Sequence, residues 1–418
     1  MVSFWLLWLL QLYIYVVAVI MLLYMVRHMV FTSTRLHRKQ RRFYHEILDS
    51  ELPPVTVLVP MHNEEAVAHD ILRALINSDY PKDLLEVIPI DDHSDDRTEQ
   101  ILREYADQYS YIRPLYRRSG PRGKPSGLND ALEYASHEVV IVFDADYTPP
   151  ADMIKQLAMA FVDPEVGAVM GRVVPENTKR GLLTRLLDLE RAGGYQVDQQ
   201  ARYTRNLIPQ YGGTVGAFRR SVVLSMGGFN PRILAEDTDL TFALFTRGWQ
   251  VAYANRSECY EESPESWDVR FRQVRRWARG HTQAAFRHFL RTLSTRYLRF
   301  WQKVDGAMLL GVYAIPTLLA TAILAHLVLF LSGRVAPFTL IIAALFCMAN
   351  SYGNFAPFFE VGSATMLDGG RRRTWLLPYT AYVFIFNVWA VVSGLKDALL
   401  DVIREGTPQW ENTERYRQ

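Results

Sequence analysis

Two aspartates at alternate positions end the most apolar run in the middle of the chain. Asp144 and Asp146 follow Val139–Phe143, whose sequence VVIVF is typical of a buried strand. Carboxylates at i and i+2 past a strand end point to the same side, so both can approach one Mg²⁺ or Mn²⁺ ion. Aspartates also cap turns after strands, so the pair alone fits either a metal site or a turn.

A second acidic cluster, Asp91-Asp92-His93-Ser94-Asp95, closes the preceding predicted strand. Asp91 and Asp92 could accept hydrogen bonds from a base ring or from ribose hydroxyls. The same residue types also suit a loop and an N-cap for a following helix. The cluster therefore indicates either a nucleoside site or ordinary local structure.

Lys124 follows two glycines in the segment GPRGK. This segment is not a P-loop, because its glycines are too close together and no Ser or Thr follows the lysine directly. Lys124 could still contact a phosphate or a carboxylate as a point charge.

Glu236 and Asp237 precede the segment TDLTFALFTRGW and open a predicted helix. Acidic residues in a first helical turn are favoured by the helix dipole, which explains them without any catalytic role. A carboxylate at this position could equally act as a general base.

The segment Trp267–Leu290 combines an apolar stripe at helical spacing with arginine-rich flanks. The stripe consists of Trp267, Phe271, Val274, Ala278, Ala285 and Phe289. This pattern is typical of a helix that lies on anionic lipid next to a membrane segment. Arg276 and Trp277 lie beside the stripe, where they could instead face a catalytic cleft.

Strands that alternate with helices predict a mainly parallel α/β sheet over residues 51–265. The predicted strands are Val55–Val59, Glu86–Ile90, Val139–Phe143 and Val166–Met170. The predicted helices are Glu65–Asn77, Arg97–Gln108, Ser126–Ala135 and Ala151–Phe161. Pro89 indicates that the second strand is imperfect or lies at an edge. Ligands of such sheets bind beyond the carboxyl ends of the strands, which is where the acidic clusters lie.

An uncharged apolar segment, Phe4–Val26, precedes the sheet and is long enough to cross a bilayer as a helix. A cleaved signal peptide is the alternative. However, no basic region precedes the run, the run is too long and no A-x-A-like site follows. The positive-inside rule places the sheet domain in the cytosol, because basic residues follow the segment. They are Arg27, Arg35, Arg38, Lys39, Arg41 and Arg42.

Three further apolar stretches, at 305–331, 336–360 and 376–397, predict membrane helices after the sheet. Three arginines at 371–373 are expected in the cytosol, so the tail lies outside if all three stretches span. Yet the tail region carries Lys396, Arg404, Arg415 and Arg417, which is typical of a cytosolic segment. Either the tail is exceptional or one stretch is re-entrant, with 336–360 as the candidate.

The composition excludes several classes of protein. Of the 418 residues, 49% are hydrophobic and 22% are charged, and the net charge is +2. This balance excludes a disordered tail protein, a collagen-like chain and a global attraction to nucleic acid. The two cysteines, Cys259 and Cys347, cannot build a disulfide framework.

Several motifs occur in one order and together resemble the membrane-embedded glycosyltransferases of family 2, which have a GT-A catalytic domain. The motifs are VPMHNEE, IDDHSDD, GKPSGLN, FDADYTPP, GGTVGAFRR, AEDTDL and QVRRW. This family includes hyaluronan, chitin, cellulose and poly-N-acetylglucosamine synthases. The resemblance implies a GT-A, Rossmann-like α/β domain flanked by transmembrane helices. It also implies an enzyme, a hexosyltransferase of the polysaccharide-synthase type.

Residue roles follow from this resemblance position by position. Asp144 and Asp146 match the pair that holds Mg²⁺ or Mn²⁺ and the donor diphosphate. Asp237 matches the catalytic base, and Glu236 belongs to the same catalytic pair. The positions that match nucleotide-binding residues are Asp91, Asp92, Lys124 and Asp144. The positions that match acceptor- and donor-binding residues are Gly212, Gly213, Thr214, Gln273, Arg276 and Trp277.

Two departures from the family pattern blur the assignment to a subfamily without removing a chemical role. Val274 replaces the usual polar second residue of Q-[QR]-x-R-W, and Ala235 replaces the Thr that often precedes the Glu-Asp pair.

The resemblance implies an inverting, metal-dependent enzyme that uses UDP-GlcNAc or UDP-glucose to extend and export a β-linked exopolysaccharide. Two alternatives stay open: a single transfer to a lipid acceptor, and an inactive membrane scaffold or sugar-binding subunit. The expected partners are the UDP-sugar, a growing glycan, the lipid bilayer and a second copy or a small membrane subunit. No nucleic acid partner is expected. The protein is expected to be a multi-pass protein of the cell membrane with its catalytic domain in the cytosol.

The predicted organisation runs from a membrane anchor to a C-terminal tail. Its parts are an anchor (1–31), a basic linker (32–50), the GT-A domain (51–265), amphipathic interfacial helices with the QxxRW motif (266–303), C-terminal transmembrane helices (304–400) and a tail (401–418).

Overall fold

The computed structural model describes residues 4–41, 51–334 and 358–404. Residues 42–50 of the predicted basic linker lie outside the described residues. The same holds for most of the apolar stretch 336–360 and for the tail from residue 405.

Seven strands form one sheet in the order β3-β2-β1-β4-β6-β5-β7. The strands are β1 (Val55–Met61), β2 (Leu85–Asp92), β3 (Leu115–Arg117), β4 (Val139–Val142), β5 (Val166–Pro175), β6 (Gly216–Arg219) and β7 (Gln250–Glu261). Only β6 among the described strands runs antiparallel to its neighbours, β4 and β5. The other pairs are parallel, which confirms the predicted mainly parallel α/β sheet.

Pro89 lies in β2, which runs between β3 and β1 inside the sheet. Of the two predicted alternatives, an imperfect strand or an edge strand, the edge position is therefore wrong. The N–H of Val87 donates 2.8 Å to the carbonyl of Tyr111. Because alternate residues of a strand donate to the same side, the proline ring faces that side too. Regular pairing with β3 begins only at Ile90, one residue later, so the proline is tolerated there.

Helices cover both faces of the sheet. Those of the sheet domain are α2 (Ala68–Ile76), α3 (Thr98–Gln108), α4 (Lys124–Tyr134), α5 (Met153–Ala158), α6 (Leu182–Ala192), α7 (Gln200–Thr204), α8 (Arg220–Ser225) and α9 (Glu236–Phe245). A 3₁₀ turn, Met159–Val162, extends α5, and a π-helical segment, Gly193–Gln199, joins α6 to α7. The four predicted helices match α2 to α5 to within one turn at each end.

The central strands are buried on both faces. Val57 and Val59 of β1 pack into the apolar core on one side of the sheet, and Leu58 packs into the core on the other. Val140 and Val142 of β4 join the second core. Burial on both faces explains why these strands are continuous apolar runs.

The remaining helices include the longest ones among the described residues, and several are apolar. They are α1 (Phe4–His37), α10 (Trp267–Ser294), α11 (Phe300–Gly311), α12 (Ile315–Leu331), α13 (Phe358–Leu367) and α14 (Thr380–Arg404), with 3₁₀ turns at Val312–Ala314 and Arg371–Tyr379. Three of the described segments are long and apolar enough to cross a membrane: Trp5–His37, Phe300–Leu331 and Arg372–Ile403.

Helix α10 joins the sheet domain to the apolar helices. Arg275 and Arg279 of α10 pair with Asp397 and Asp401 of α14, with N···O distances of 2.5 Å in both cases. Val274 of the predicted stripe is buried against α14, whereas Phe289 near the other end of α10 is exposed. The interfacial placement of this helix stays a prediction.

Candidate active site

A cavity of about 1120 Å³ lies beyond the carboxyl ends of the parallel strands and is closed on one side by α10. It brings together most of the residues that the sequence predicted. Those that line it are Asp92, Lys124, Asp144, Asp146, Gly212, Thr214, Glu236, Asp237, Gln273, Arg276 and Trp277. Asp91 and Gly213 are not among the lining residues.

Asp144 and Asp146 follow β4, the strand at which the order of the sheet changes direction. The backbone N–H of Asp144 donates 3.0 Å to the hydroxyl of Thr214, which ties the loop after β4 to the segment before β6. Asp146 is buried, and the side chain of Asp144 is about one-third exposed. Two carboxylates in one cavity are a suitable donor set for Mg²⁺ or Mn²⁺, which takes its other ligands from water and phosphate oxygens.

Lys124 places a positive charge between the metal-binding candidates and the base candidates. Its Nζ donates 2.5 Å to Oδ1 of Asp144 and 3.0 Å to the carbonyl of Gly213, and it lies 3.6 Å from Oε1 of Glu236. Burial lowers the pKa of Lys124, but the carboxylates of Asp144 and Glu236 outweigh it, so the pKa is raised overall. Lys124 is therefore a permanent cation in this cavity.

Asp91 and Asp92 end β2 and differ in their surroundings. Asp91 is fully buried, with Oδ2 at 2.9 Å from a guanidinium nitrogen of Arg118. Asp92 accepts hydrogen bonds from Arg117 and, at 2.6 Å, from the backbone N–H of Gly123, and it lines the cavity. The cavity thus reaches Asp92, while the nucleotide-binding role of Asp91 stays a prediction.

Glu236 and Asp237 lie in the first turn of α9, and Gly213 passes directly beside them. A Cβ at Gly213 would lie 3.2 Å from Cβ of Asp237 and 3.3 Å from Oε1 of Glu236, and its φ of +75° also favours glycine. Burial raises the pKa of Glu236 to about 7 and raises that of Asp237. A carboxylate with a raised pKa is a stronger proton acceptor, so the pair suits general-base catalysis near neutral pH.

Trp277 of α10 contacts two guanidinium groups. The Cζ atoms of Arg191 and Arg270 lie 5.2 Å and 5.3 Å from its ring centre. Both arginines are held by carboxylates, Arg270 by Glu190 and Arg191 by Glu261, the latter at 2.7 Å. Cation–π contacts of this kind fix the orientation of a tryptophan ring.

Gln273 is held one turn before Trp277. Its Oε1 accepts a hydrogen bond of 2.8 Å from Arg270, so Gln273 is tied to the same arginine that contacts the Trp277 ring. The Q-x-x-R-W segment therefore presents an ordered face to the cavity.

Several lining residues were not predicted from the sequence. His281 lies one turn after Trp277, with Nδ1 at 3.1 Å from the hydroxyl of Thr238, and burial lowers its pKa to about 4. Its i+4 spacing from Trp277 on α10 was a usable signal. Arg191 of α6 and His28 of α1 also line the cavity, but no sequence pattern connects these distant segments with the site.

Comparison with known proteins identifies related sequences. The family profile "Glycosyltransferase like family 2" matches residues 53–280. The chain is 37% identical over 234 residues to "Probable glycosyltransferase YdaM" of Bacillus subtilis, a match that covers 55% of this chain and 56% of the relative. It is 33% identical over 264 residues to "Beta-monoglucosyldiacylglycerol synthase" of Trichormus variabilis, covering 63% and 54%. The chain spans about half the length of the curated relatives that it matches.

A solved structure shares the fold over nearly the whole chain. It is "Mannosyltransferase PcManGT from Pyrobaculum calidifontis in complex with GDP-Man and Mn2+", with a TM-score of 0.64 and 20% identity. The match covers 94% of this chain and 99% of that one, so it includes the long helices as well as the sheet.

Proposed function

Because the chain belongs to glycosyltransferase family 2 and has the GT-A fold, we propose that it transfers one sugar from a nucleotide-sugar donor to a hydroxyl group of a membrane lipid. The observation that supports this proposal is the extent of the cavity. Its lining includes Asp237, the candidate base, and Met308 and Leu309 of α11, which belongs to an apolar segment long enough to cross a membrane. A hydroxyl on a lipid could therefore reach the base without leaving the membrane surface.

We prefer transfer to a lipid over the synthesis of a polysaccharide that the resemblance implied. One of the relatives is named as a synthase of a glucosylated diacylglycerol and is 33% identical over 264 residues. The described residues contain three candidate membrane spans, few for a closed channel. We therefore regard extension and export of a polysaccharide as the second candidate, which the product of the reaction can decide.

We assign the part of the cavity around Asp144, Asp146 and Lys124, called the donor end below, to the diphosphate of the nucleotide sugar. Asp144 and Asp146 would hold Mg²⁺ or Mn²⁺, which would stabilise the negative charge that develops on the leaving diphosphate. Lys124 and Arg276 line the same region and would add fixed positive charge there. Asp92, which also lines the cavity, would contact the nucleoside. UDP-glucose and UDP-GlcNAc are our first candidates for the donor.

Asp237 would act as the general base. As the acceptor oxygen forms its bond to the anomeric carbon, the bond from that carbon to the diphosphate oxygen breaks, and the acceptor proton passes to Asp237. The nucleoside diphosphate leaves with the bonding electron pair. Attack from the face opposite the leaving group inverts the anomeric centre, so an α-linked donor gives a β-linked product. Trp277 also lines the cavity and would contact the acceptor.

The long helices would anchor the enzyme as a multi-pass protein. The basic residues that follow the apolar part of α1 favour a cytosolic position for the sheet domain. Nucleotide sugars are cytosolic metabolites, so this orientation would supply the donor. The inactive-scaffold alternative is disfavoured, because Asp144, Asp146 and Asp237 all line one cavity in a member of an enzyme family.

The product of the purified full-length chain tests this proposal. The enzyme would be placed in phosphatidylcholine vesicles with dioleoylglycerol and incubated with UDP-glucose, UDP-GlcNAc, UDP-galactose or GDP-mannose and with Mg²⁺ or Mn²⁺. We expect lipid carrying one sugar, detected by mass spectrometry, and far less of it from the Asp237→Asn variant at the same reaction time. A water-soluble polymer without glycosylated lipid would contradict the proposal and support the polysaccharide candidate.

A further inference from the structure

We propose that the end of α1 that follows its apolar part carries a subsite for an uncharged, hydroxyl-bearing head group of the acceptor lipid. This inference rests on the proposed lipid glycosyltransferase activity and narrows its acceptor class. The residues that carry it are Arg27 and His28, which line the same cavity as Asp237. Both are almost completely buried, with exposed fractions of 9% and 4%.

His28 is oriented by a carboxylate from a distant helix. Its Nδ1 lies 2.8 Å from Oε2 of Glu360 in α13, and Glu360 is fully buried. Within the described part of the chain, Nε2 of His28 has no hydrogen-bond partner. A buried imidazole nitrogen without a partner is costly, so a ligand that bonds to it is favoured.

Arg27 offers a second incomplete group beside His28. Its Nε donates 2.8 Å to Oδ1 of Asp305 in α11. Its Nη2 lies 3.8 Å from Oδ1 of Asp198, which exceeds hydrogen-bond distance, and it makes no hydrogen bond to any residue that the structure describes. Arg27 and His28 thus both line the cavity, and each has one polar atom that no described residue satisfies.

The charges around these two residues disfavour an anionic head group. Arg27 is paired with Asp305, and Arg202 is paired with Asp198 at 2.9 Å. Glu360 adds a further carboxylate behind His28. Each guanidinium in the cluster is already compensated, so a phosphate would bring negative charge into a group of three carboxylates. A hydroxyl, which can both donate and accept, meets the same atoms without that cost.

A divalent cation is the other ligand to consider for this cluster, which consists of Arg27, His28, Asp198, Arg202, Asp305 and Glu360. Ligand atoms of His28, Asp198 and Glu360 all lie within 4.8 Å of one another. However, Arg27 and Arg202 both approach Asp198, so a cation there would lie beside two guanidinium groups. Repulsion between like charges at such distances is strong in a buried site. The cluster is therefore better suited to a neutral ligand.

The apolar wall beside the cluster favours a lipid over a free oligosaccharide. Met308, Leu309 and Val312 line the cavity next to the polar residues. Apolar side chains on one side and hydrogen-bonding groups on the other match a head group that is attached to acyl chains. An oligosaccharide end would offer the same hydroxyls but would leave this wall without an apolar partner.

A comparison of the kinetic constants for different acceptors in vesicles tests the subsite. The full-length enzyme would receive dioleoylglycerol, a polyprenyl phosphate or a cello-oligosaccharide at equal concentration, with saturating donor. We expect kcat/KM for dioleoylglycerol to exceed that for the lipid phosphate by about tenfold or more, because the phosphate brings negative charge next to the carboxylates. This factor corresponds to about 1.4 kcal/mol. In His28→Leu, we expect KM for dioleoylglycerol to rise about tenfold while KM for the donor is unchanged, since a ligand hydrogen bond is lost.

Two further variants serve as a second probe of the subsite and as its control. Glu360→Gln keeps the shape of the side chain behind His28 and is expected to raise the acceptor KM in the same direction. His37→Leu changes an exposed histidine of the same helix and is expected to change neither KM.

Several outcomes would overturn the subsite. They are equal or better use of the lipid phosphate, an unchanged acceptor KM in His28→Leu, and metal that copurifies with wild type but not with His28→Leu. Transfer to the oligosaccharide in place of the lipid would overturn the proposed function together with the subsite. Glycosylated lipid with no effect of His28→Leu would overturn the subsite alone.

Discussion

Lys124 donates a hydrogen bond of 2.5 Å to Oδ1 of Asp144, one of the two carboxylates that would hold the divalent cation. The ammonium therefore occupies space next to an oxygen that a metal would need. We expect this pair to separate when metal and donor bind, which would free the lysine for the donor diphosphate. Lys124 would thus couple metal binding to donor binding.

Substitution of Lys124 by Met should change metal affinity and donor affinity in opposite directions. Without the ammonium, the carboxylates of Asp144 and Glu236 attract a cation more strongly, so Mn²⁺ affinity in the absence of nucleotide should rise about tenfold or more. Donor affinity and kcat should fall, because a positive charge near the diphosphate is lost. Mn²⁺ titration followed by electron paramagnetic resonance and calorimetric titration of UDP measure the two effects.

Lys179→Met is a matched control, because Lys179 lies exposed in a loop. It should leave both affinities unchanged. Weaker Mn²⁺ binding in Lys124→Met would mean that the lysine supports the metal site instead of competing with the ion.

Asp237→Asn should remove the base while leaving the donor end of the cavity intact. A positioned general base contributes about 10² to 10⁴ in rate, so kcat should fall by that factor. UDP affinity should change little, since the amide keeps the size of the side chain. Initial rates of glycolipid formation and calorimetric titration of UDP test the two statements.

Asp239→Asn, two positions along the same helix, is the matched comparison. Oδ1 of Asp239 lies 2.7 Å from Nε2 of His288, and Asp239 does not line the cavity. The change should therefore lower the melting temperature and leave kcat nearly unchanged. If UDP affinity collapses in Asp237→Asn as far as activity does, Asp237 is not the base.

Four of the candidate residues that sequence analysis found lie at the ends of predicted elements. Asp144 and Asp146 directly follow a strand, and Glu236 and Asp237 open a helix. Positions of this kind are read from local hydrophobic patterns, and the geometry of parallel sheets then brings strand ends to one edge. All four line the cavity.

Other lining residues depend on packing between distant segments. His28 of α1 meets Glu360 of α13, and Arg191 of α6 meets the Trp277 ring of α10. No local pattern encodes such pairs, because each partner fits an ordinary helix by itself. Pro89 shows the converse: a local rule predicted an imperfect or an edge strand, but the short length of β3 made an interior position tolerable.

Breaking the Arg270–Glu190 pair should strongly destabilise the structure around Trp277. Both side chains are buried, with exposed fractions of 2% and 3%. Removing one partner of a buried pair leaves an uncompensated charge and costs about 3 to 5 kcal/mol. Arg270→Met should therefore lower the melting temperature strongly, as measured in detergent.

The double variant Arg270→Met with Glu190→Gln removes both charges and should recover part of that loss. A double variant as unstable as Arg270→Met would show that arginine packing, and not charge, provides the stability. Activity of the double variant should stay low, because Trp277 and Gln273 lose the contacts that orient them.

The raised pKa of Glu236 predicts how stability varies with pH. Burial raises this pKa from 4.5 to about 7, so the folded protein binds the proton more tightly than the unfolded chain. The resulting stabilisation is complete below pH 4.5 and is lost as pH rises through 7, a change of about 3 kcal/mol for this group. Glu236→Gln cannot ionise. Relative to wild type, its melting temperature without metal or donor should therefore be higher at pH 8 than at pH 5. The exposed Glu133→Gln should show no such difference, and an equal shift at both pH values in Glu236→Gln would contradict the assignment.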